Sequence, residues 1–600
     1  MIRKNKNIRN LLESLLFFSP YIIKFLDRKK FLEFFVLSII QPSLEALKIL
    51  YVINLVKYLS SEFNIVGKFE IFGFSLNLPY LQIISDNLIL NFSITTFIIW
   101  AFGILFNLRF NYIRDLSGIK IIEGMRGILS SYLFNIEYDL LTKIKSGEIH
   151  NLWQIVRHVG GFFMIITSLI TNFILAAVIL ILLFQFINYG VLIFLILGII
   201  LMCLNYFFSN LIYKQSYKIN MINAKSLNLL EQILYSMKLI KLSGKIDEEK
   251  NKHLKLHQNQ VKYSINLNLI KGLSISIIQL LAFILILFFI SIIRKLSFDV
   301  GNLLAFSLIS IRLVPIVLEI GRSINYTFEI IGMLKNLMNF LRIQVKFDIE
   351  DTINTKILNM KLNSIKLLDV SYKYGNNEVI KKTNLTLEKG KIYGVIGRTG
   401  EGKSTILDII SGFRKPIKGK IIINDIFNLN DYKKSYQKKI SYLPQETIIL
   451  NTSIRKNITL YEKKVSNLKI KKILRETELQ EVIKNMSEGL NTKVGMRGNL
   501  LSGGQKQRIG MARTLIKKNE FLILDEPTSA MDSLTEKKIL NKIIAMKSDK
   551  IILMATHRIE ILDKFDAILV VADKTVIKFN SIKEFKKINL NLYRKIIADE

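Results

Sequence analysis

Three stretches of this chain, residues 162–186, 189–213 and 272–293, contain no charged residue. About 20 apolar residues in a helix cross the hydrocarbon core of a bilayer. A helix buried in a soluble core seldom stays uncharged for so long, so these stretches read as membrane spans. Three further stretches are less pure. Residues 31–59 include Glu33, Pro42, Glu45 and Lys48. Residues 88–108 end at Arg109, and residues 301–321 include Arg312, Pro315 and Glu319. The expectation is six spans within residues 29–345. They are preceded by an amphipathic helix over 1–28 that lies on the membrane surface.

The basic residues orient these spans. The segment 109–157 carries seven Lys or Arg and 214–271 carries eleven, whereas the connection between spans three and four is short and uncharged. Basic loops face the cytoplasm. The N-terminus, both long connections and everything after span six are therefore placed there, and the expected location is a bacterial inner membrane. Both long connections show apolar residues at helical spacing, so they read as span helices that run on into the cytoplasm and return. The external segment 60–87 is half apolar and reads equally well as a short interfacial helix or as a loop.

Composition matters at this point. Half the residues are apolar, yet 22% are charged and the formal net charge is +36. A very apolar half joined to an ordinary soluble half accounts for both. The excess of Lys runs throughout the chain alongside Asn and Ile, which indicates compositional bias and attraction to an anionic membrane surface rather than nucleic-acid binding. The single cysteine, Cys203, sits in an apolar run. It excludes an internal disulfide and a thiol cluster, and it reads as a small buried hydrophobe.

After residue 345 short β-rich runs alternate with helical ones, so an α/β domain is expected over 360–600. The strand Lys391-Ile-Tyr-Gly-Val-Ile leads into Gly397-Arg398-Thr399-Gly400-Glu401-Gly402-Lys403-Ser404-Thr405 and then a helix. This is a phosphate-binding loop in its strand–loop–helix context. Its glycines let backbone N–H groups surround phosphates at a helix N-terminus, Lys403 reaches the β/γ-phosphates, and Ser404 binds Mg²⁺. Downstream, Phe521-Leu-Ile-Leu-Asp525-Glu526 reads as a buried strand that delivers two acids to its C-terminal edge, where open α/β sheets bind ligands. Asp525 is assigned to Mg²⁺ and Glu526 to the attacking water.

The run Leu501-Ser502-Gly503-Gly504-Gln505, followed by Lys506-Gln-Arg-Ile-Gly-Met-Ala-Arg513, resembles the signature of ABC ATPases nearly letter for letter. Physically it is a second anion site at a helix N-terminus. The resemblance implies that Ser502 and its glycines contact the nucleotide held by a second copy of the chain, so that two ATP molecules lie between the two copies. Further residues match that family in order. Tyr374 corresponds to the adenine-stacking aromatic, with Tyr372 as a competitor. Gln445 corresponds to the Mg²⁺-sensing glutamine, Asp532 to the loop after the catalytic acid, and His557 to the γ-phosphate histidine. The chain departs from the family pattern at Met496, where exporters usually have Glu, and at Met531, where they usually have Leu.

The implied fold class is multidomain: an all-α six-helix transmembrane domain of ABC exporter type plus an α/β P-loop NTPase domain of ABC type. The implied activity is ATP hydrolysis with Mg²⁺ by a homodimer, coupled to movement of an amphipathic substrate. Segments 147–157 and 230–241 would be its coupling helices. Arg312, in an R-x-x-P context within span six, is costly in a membrane and so points to function. That context, the Lys-rich segment 236–245 and the long external connection resemble flippases of lipid-linked oligosaccharides. The resemblance implies that Arg312, with Arg109 and Arg322, holds a lipid pyrophosphate. An exporter of another lipid, a drug or a peptide stays open beside this. An ABC importer fits the fused domain order less well, and a non-transport ABC ATPase fits the apolar half less well.

Overall fold

In the computed structural model the described residues are 6–598, except 61–67, 72–73, 78, 80–87, 137, 143, 185–187, 294–299, 352–359 and 463. Side chains are also left undescribed within some helices, chiefly over 189–203 and 285–306. The side chains of Cys203 and Met496 are among those not described. The chain divides into two compact units. One comprises Met1–Ile136 with Leu140–Val345, the other Glu137–Asp139 with Lys346–Glu600.

The first unit is helical. After the helices Lys6–Phe25 and Arg28–Ser60 come four very long ones or pairs: Leu88–Asn135, Arg157–Phe184, then Asn188–Tyr235 with Ile246–Ile293, and finally Val300–Asp351. Three of these reach 48 residues and the last 52. At 1.5 Å per residue, 48 residues extend about 70 Å, more than twice the hydrocarbon thickness. The helices therefore continue well past any span. Among the described residues, Arg28–Ile53, Ile89–Asn135, Gly147–Ile181 and Ile246–Leu281 are long and apolar enough to cross a membrane. The stretches 189–213 and 301–321 lie in helices whose side chains are only partly described.

Many large apolar side chains on these helices face outward, among them Phe97, Phe102, Leu105 and Leu108. In water such a surface would be a liability. Beyond the apolar stretches the same helices pack with Lys6–Phe25 on a conventional core that includes Phe18, Met125, Val159 and Leu334. Gly332 allows one close crossing, because a Cβ there would sit 2.9 Å from the Tyr213 carbonyl oxygen. Beside it the Ser216 hydroxyl donates to the Glu329 carbonyl at 2.7 Å. In the 60–87 segment the described residues form a two-stranded antiparallel hairpin, Lys68–Ile71 with Phe74–Asn77, rather than a helix.

The second unit is built on a six-stranded sheet. In spatial order the strands are Thr575–Phe579, Ala567–Ala572, Ile392–Ile396, Ile551–Ala555, Phe521–Asp525 and Ile440–Leu443. All neighbours are parallel except the first pair. The central strands are buried along their whole length, which is why they read as unbroken apolar runs. One core lies on each face, around Tyr393 and Ile406 on one side and Leu524 and Phe585 on the other. A smaller antiparallel sheet contains Asn377–Glu388, Ser364–Tyr374 and Lys418–Ile423. A helical region around Ile454, Ile470 and Ile509 carries the helix Gly503–Ile516.

Candidate functional site

Four parallel strands end side by side, and each is followed by residues with polar chemistry. Gly397–Lys403 follow Ile396, Gln445 follows Leu443, Glu526 follows Asp525 and His557 follows Ala555. The register places Ala555 opposite both Val395 and Asp525, so these ends lie level.

The loop 397–402 turns through left-handed glycines at Gly400 and Gly402, φ +87° and +105°. Gly402 caps the helix Lys403–Ile410. At Gly397 a Cβ would fall 2.4 Å from the Val571 carbonyl oxygen, so no side chain fits there. Lys403 is 8% exposed, and its ammonium donates to the carbonyls of Gly397 at 2.7 Å and Arg398 at 3.1 Å. Burial pulls its pKa down, opposed by Glu526, Asp525 and Glu401. The Glu401 carboxylate accepts from the Arg398 N–H at 3.0 Å, which steadies the turn.

Asp525 is 4% exposed. Burial pushes its carboxyl above the ordinary range, against a hydrogen bond with Ser404. A buried carboxylate joined to a hydroxyl and close to a second acid is a donor set that suits a hard divalent cation. Glu526 sits between two partners. Gln445 Nε2 donates to its Oε2 at 3.0 Å, and His557 Nε2 lies 2.9 Å from its Oε1. Its backbone is left-handed, φ +46°, which costs a non-glycine residue about 1–2 kcal/mol and concentrates at functional sites.

The helix Gly503–Ile516 begins with a capping box. The Ser502 hydroxyl accepts from the Gln505 backbone N–H, and the Gln505 side-chain Oε1 accepts from the Ser502 N–H at 3.0 Å. Gln505 is thus committed within the chain, while Ser502 and Gly503 remain exposed. Asp532 caps the next helix by accepting from Thr535 N–H at 2.9 Å. Between the two aromatic competitors burial discriminates: Tyr372 is 5% exposed and Tyr374 is 43%. Tyr374 bonds Thr405 through its hydroxyl at 3.2 Å, and the Arg414 guanidinium lies 4.8 Å from its ring centroid. Met531 packs against the core around Leu524.

Some contributors carry no legible signal in the sequence. Arg414 occupies a turn with no motif. Glu536 is a buried acid in an amphipathic helix, where it bonds Arg558 and accepts from Thr528 at 2.7 Å, fixing the segment beside His557. Gln507 lies inside the signature run, but only the fold reveals its contacts.

The three candidate arginines of the helical unit, Arg109, Arg312 and Arg322, have acidic neighbours. Arg109 bonds Glu33 at 2.8 Å, Arg312 bonds Glu45 at 3.0 Å, and Arg322 lies 3.5 Å from Glu319. Glu45 is also bonded by Lys48 at 2.6 Å, so one carboxylate serves two cations. Arg322 lines a cavity of about 420 Å³ with Arg114, Lys271 and Tyr326. These arginines belong to different clusters.

A phosphate-binding loop, an acid pair on the neighbouring strand and a capped glycine helix on one parallel sheet define an ABC ATPase, here preceded by a helical domain with membrane-length apolar helices. Residues 380–529 match the family model described as "ABC transporter". The heterocyst differentiation ATP-binding protein HepA of Nostoc is 28% identical over 78% of this chain and 76% of its own length. An ATP-dependent lipid A-core flippase of Pseudoalteromonas translucida is 28% identical over 58% of this chain, which spans 61% of that protein. An export ATP-binding/permease protein of Rickettsia typhi is 36% identical over 40% of this chain and 42% of its length. In fold, the chain is similar to a bacterial Atm1-family ABC exporter solved with ATP bound: TM-score 0.79, 17% identity, 95% of this chain and 98% of that one. The chain therefore has the ABC exporter fold, with its ABC-type ATPase unit following the helical unit in the sequence.

Proposed function

We propose that the protein is a homodimeric, Mg²⁺-dependent ATP-driven exporter or flippase of an amphipathic anionic lipid in a bacterial inner membrane, in the class of lipid-linked oligosaccharides. The observation that carries the ATPase part is Glu526, held between Gln445 and His557 level with the Lys403 loop. From there its carboxylate can orient a water and take its proton as the water attacks the γ-phosphate. The N–H groups of 397–405 and the Lys403 ammonium hold the phosphates, Tyr374 offers its exposed ring to adenine, and His557, beside Glu526, can bond the γ-phosphate as it passes to water and ADP leaves. Ser404, Gln445 and Asp525 would hold Mg²⁺, which when bound neutralises phosphate charge. Ser502, Gly503, Gly504 and Asp532 face the nucleotide of the second copy.

Support for the lipid comes from the helical unit. The Glu45–Lys48–Arg312 triad carries one net positive charge, and the Arg312 side chain is about half exposed. Such a charge within a membrane span is retained for a partner, and an anionic head group fits it. The match to a lipid A-core flippase points the same way. The runner-up is an exporter of another lipid, a drug or a peptide.

The test is reconstitution into liposomes. Glu526→Gln is expected to lower ATP turnover by about 10³-fold while ATP still binds. Lipid pyrophosphates are expected to stimulate the wild-type ATPase but not Arg312→Ala. Full turnover by Glu526→Gln sinks the assignment of the base. Stimulation that survives Arg312→Ala sinks the head-group site.

A further inference from the structure

Gln507 lies in the second turn of the helix Gly503–Ile516 and is 4% exposed. Its side-chain amide makes three hydrogen bonds. Nε2 donates to the Glu526 carbonyl at 2.9 Å and to the Ser529 hydroxyl at 3.0 Å, and Oε1 accepts from the Ala530 N–H at 2.9 Å. Both amide protons are used, and all three partners belong to the turn that follows the buried strand Phe521–Asp525. The turn and the helix also touch directly, since a Cβ on Gly504 would lie 2.8 Å from the Ala530 carbonyl oxygen.

What this turn presents is Glu526, in a left-handed conformation that a glutamate does not adopt unaided. Its peptide is clamped at both ends: the N–H donates to the Ala555 carbonyl at 3.0 Å, and the carbonyl accepts from Gln507. With the backbone fixed there, the carboxylate reaches Gln445 and His557 together. We propose that Gln507 is a positioning residue for ATP hydrolysis: its amide holds the 526–530 turn and ties the aim of Glu526 to the helix that begins at Ser502. This rests on Glu526 being the base. Gln507 is buried and its three bonds all go to the turn, so it acts through Glu526.

The experiment measures steady-state ATP hydrolysis by the purified full chain across pH, for wild type, Gln507→Ala, Gln507→Glu and, as a reference, Glu526→Gln. Misaiming the base costs rate rather than affinity. Gln507→Ala is expected to lower kcat about 10–100-fold with KM changed less than about two-fold. Gln507→Glu has the same shape but, when ionised, lacks both donors and turns an oxygen on the Glu526 carbonyl. Protonation restores one donor. Its kcat relative to wild type should therefore climb as pH falls from about 8 to about 6, where a carboxyl in such a buried site regains its proton, while the relative kcat of Gln507→Ala stays flat. A purely structural role would weaken both variants alike and show no such climb.

A Gln507→Ala kcat within about two-fold of wild type, a KM that rises in step with the loss, or a flat Gln507→Glu profile overturns the proposal, provided Glu526→Gln is inactive. Turnover by Glu526→Gln overturns the base itself, and the positioning role with it.

Discussion

At the scale of single residues, the chemistry of the ATPase unit depends on groups whose burial works against their charge. Asp525 is the clearest case. Burial holds its carboxyl above the ordinary range, and the neighbouring Glu526 and Asp408 add to that effect. The folded protein thus keeps this proton to a higher pH than the unfolded chain does. The stability the group contributes is complete below its unfolded pKa and is lost as pH rises through the folded value. Asp525→Asn removes that loss. In nucleotide-free protein at neutral pH the variant should melt about 2–4 °C higher than wild type, the gap should close toward the carboxylate range, and ATPase activity should disappear. Calorimetry across pH checks this, and a gap that widens on acidification contradicts it. The candidate residues at this scale stand out in the sequence, because a phosphate loop needs glycines at fixed positions. Which of Tyr374 and Tyr372 stays exposed was not marked, because that depends on which ring the fold buries.

At the scale of elements, two helices show how one residue serves both folding and function. Ser502 caps the helix Gly503–Ile516, so Ser502→Ala should cost about 1 kcal/mol of stability and Ser502→Gly only a few tenths. If the hydroxyl also meets a phosphate, both variants lose ATPase activity to the same degree despite unequal stability. Comparing their melting and turnover separates the two roles. In the helical unit, Gly332 lets Val300–Asp351 approach the Tyr213 carbonyl of its neighbour. Gly332→Leu should force those helices apart, at a cost of about 1–3 kcal/mol, visible as lower thermal stability in detergent. Helix length was legible from periodicity that continues beyond the apolar stretches. The hairpin 68–77 was not, because its residues mix apolar and polar types without an alternation distinct from that of a loop.

At the scale of the whole molecule, the central question is whether each ATP is shared between two copies. Lys403→Ala and Ser502→Ala would each disable both sites of a uniform dimer. A mixed dimer holding one of each would retain one complete site, Lys403 from the Ser502→Ala copy facing Ser502 from the Lys403→Ala copy. Co-expression of the two inactive variants should therefore restore part of the ATPase activity, on the order of a quarter of wild type if copies pair at random and sites act independently. No restoration would mean that each chain completes its own site.

The sequence by itself determined which chemistry is present and roughly where each kind of structure lies. Uncharged runs of membrane length, a phosphate loop between strand and helix, two acids closing an apolar strand and a glycine-rich helix start are all local patterns, and local patterns survive in one dimension. The tertiary structure decided which groups meet. Lys48 and Arg312 share Glu45, Gln445 and His557 converge on Glu526, and Gln507 holds the turn beneath it. These partners lie between 19 and 267 positions apart along the chain, Lys48 and Glu45 excepted. No periodicity reports such pairings, because they are set by how strands order themselves in a sheet and by where packed helices cross.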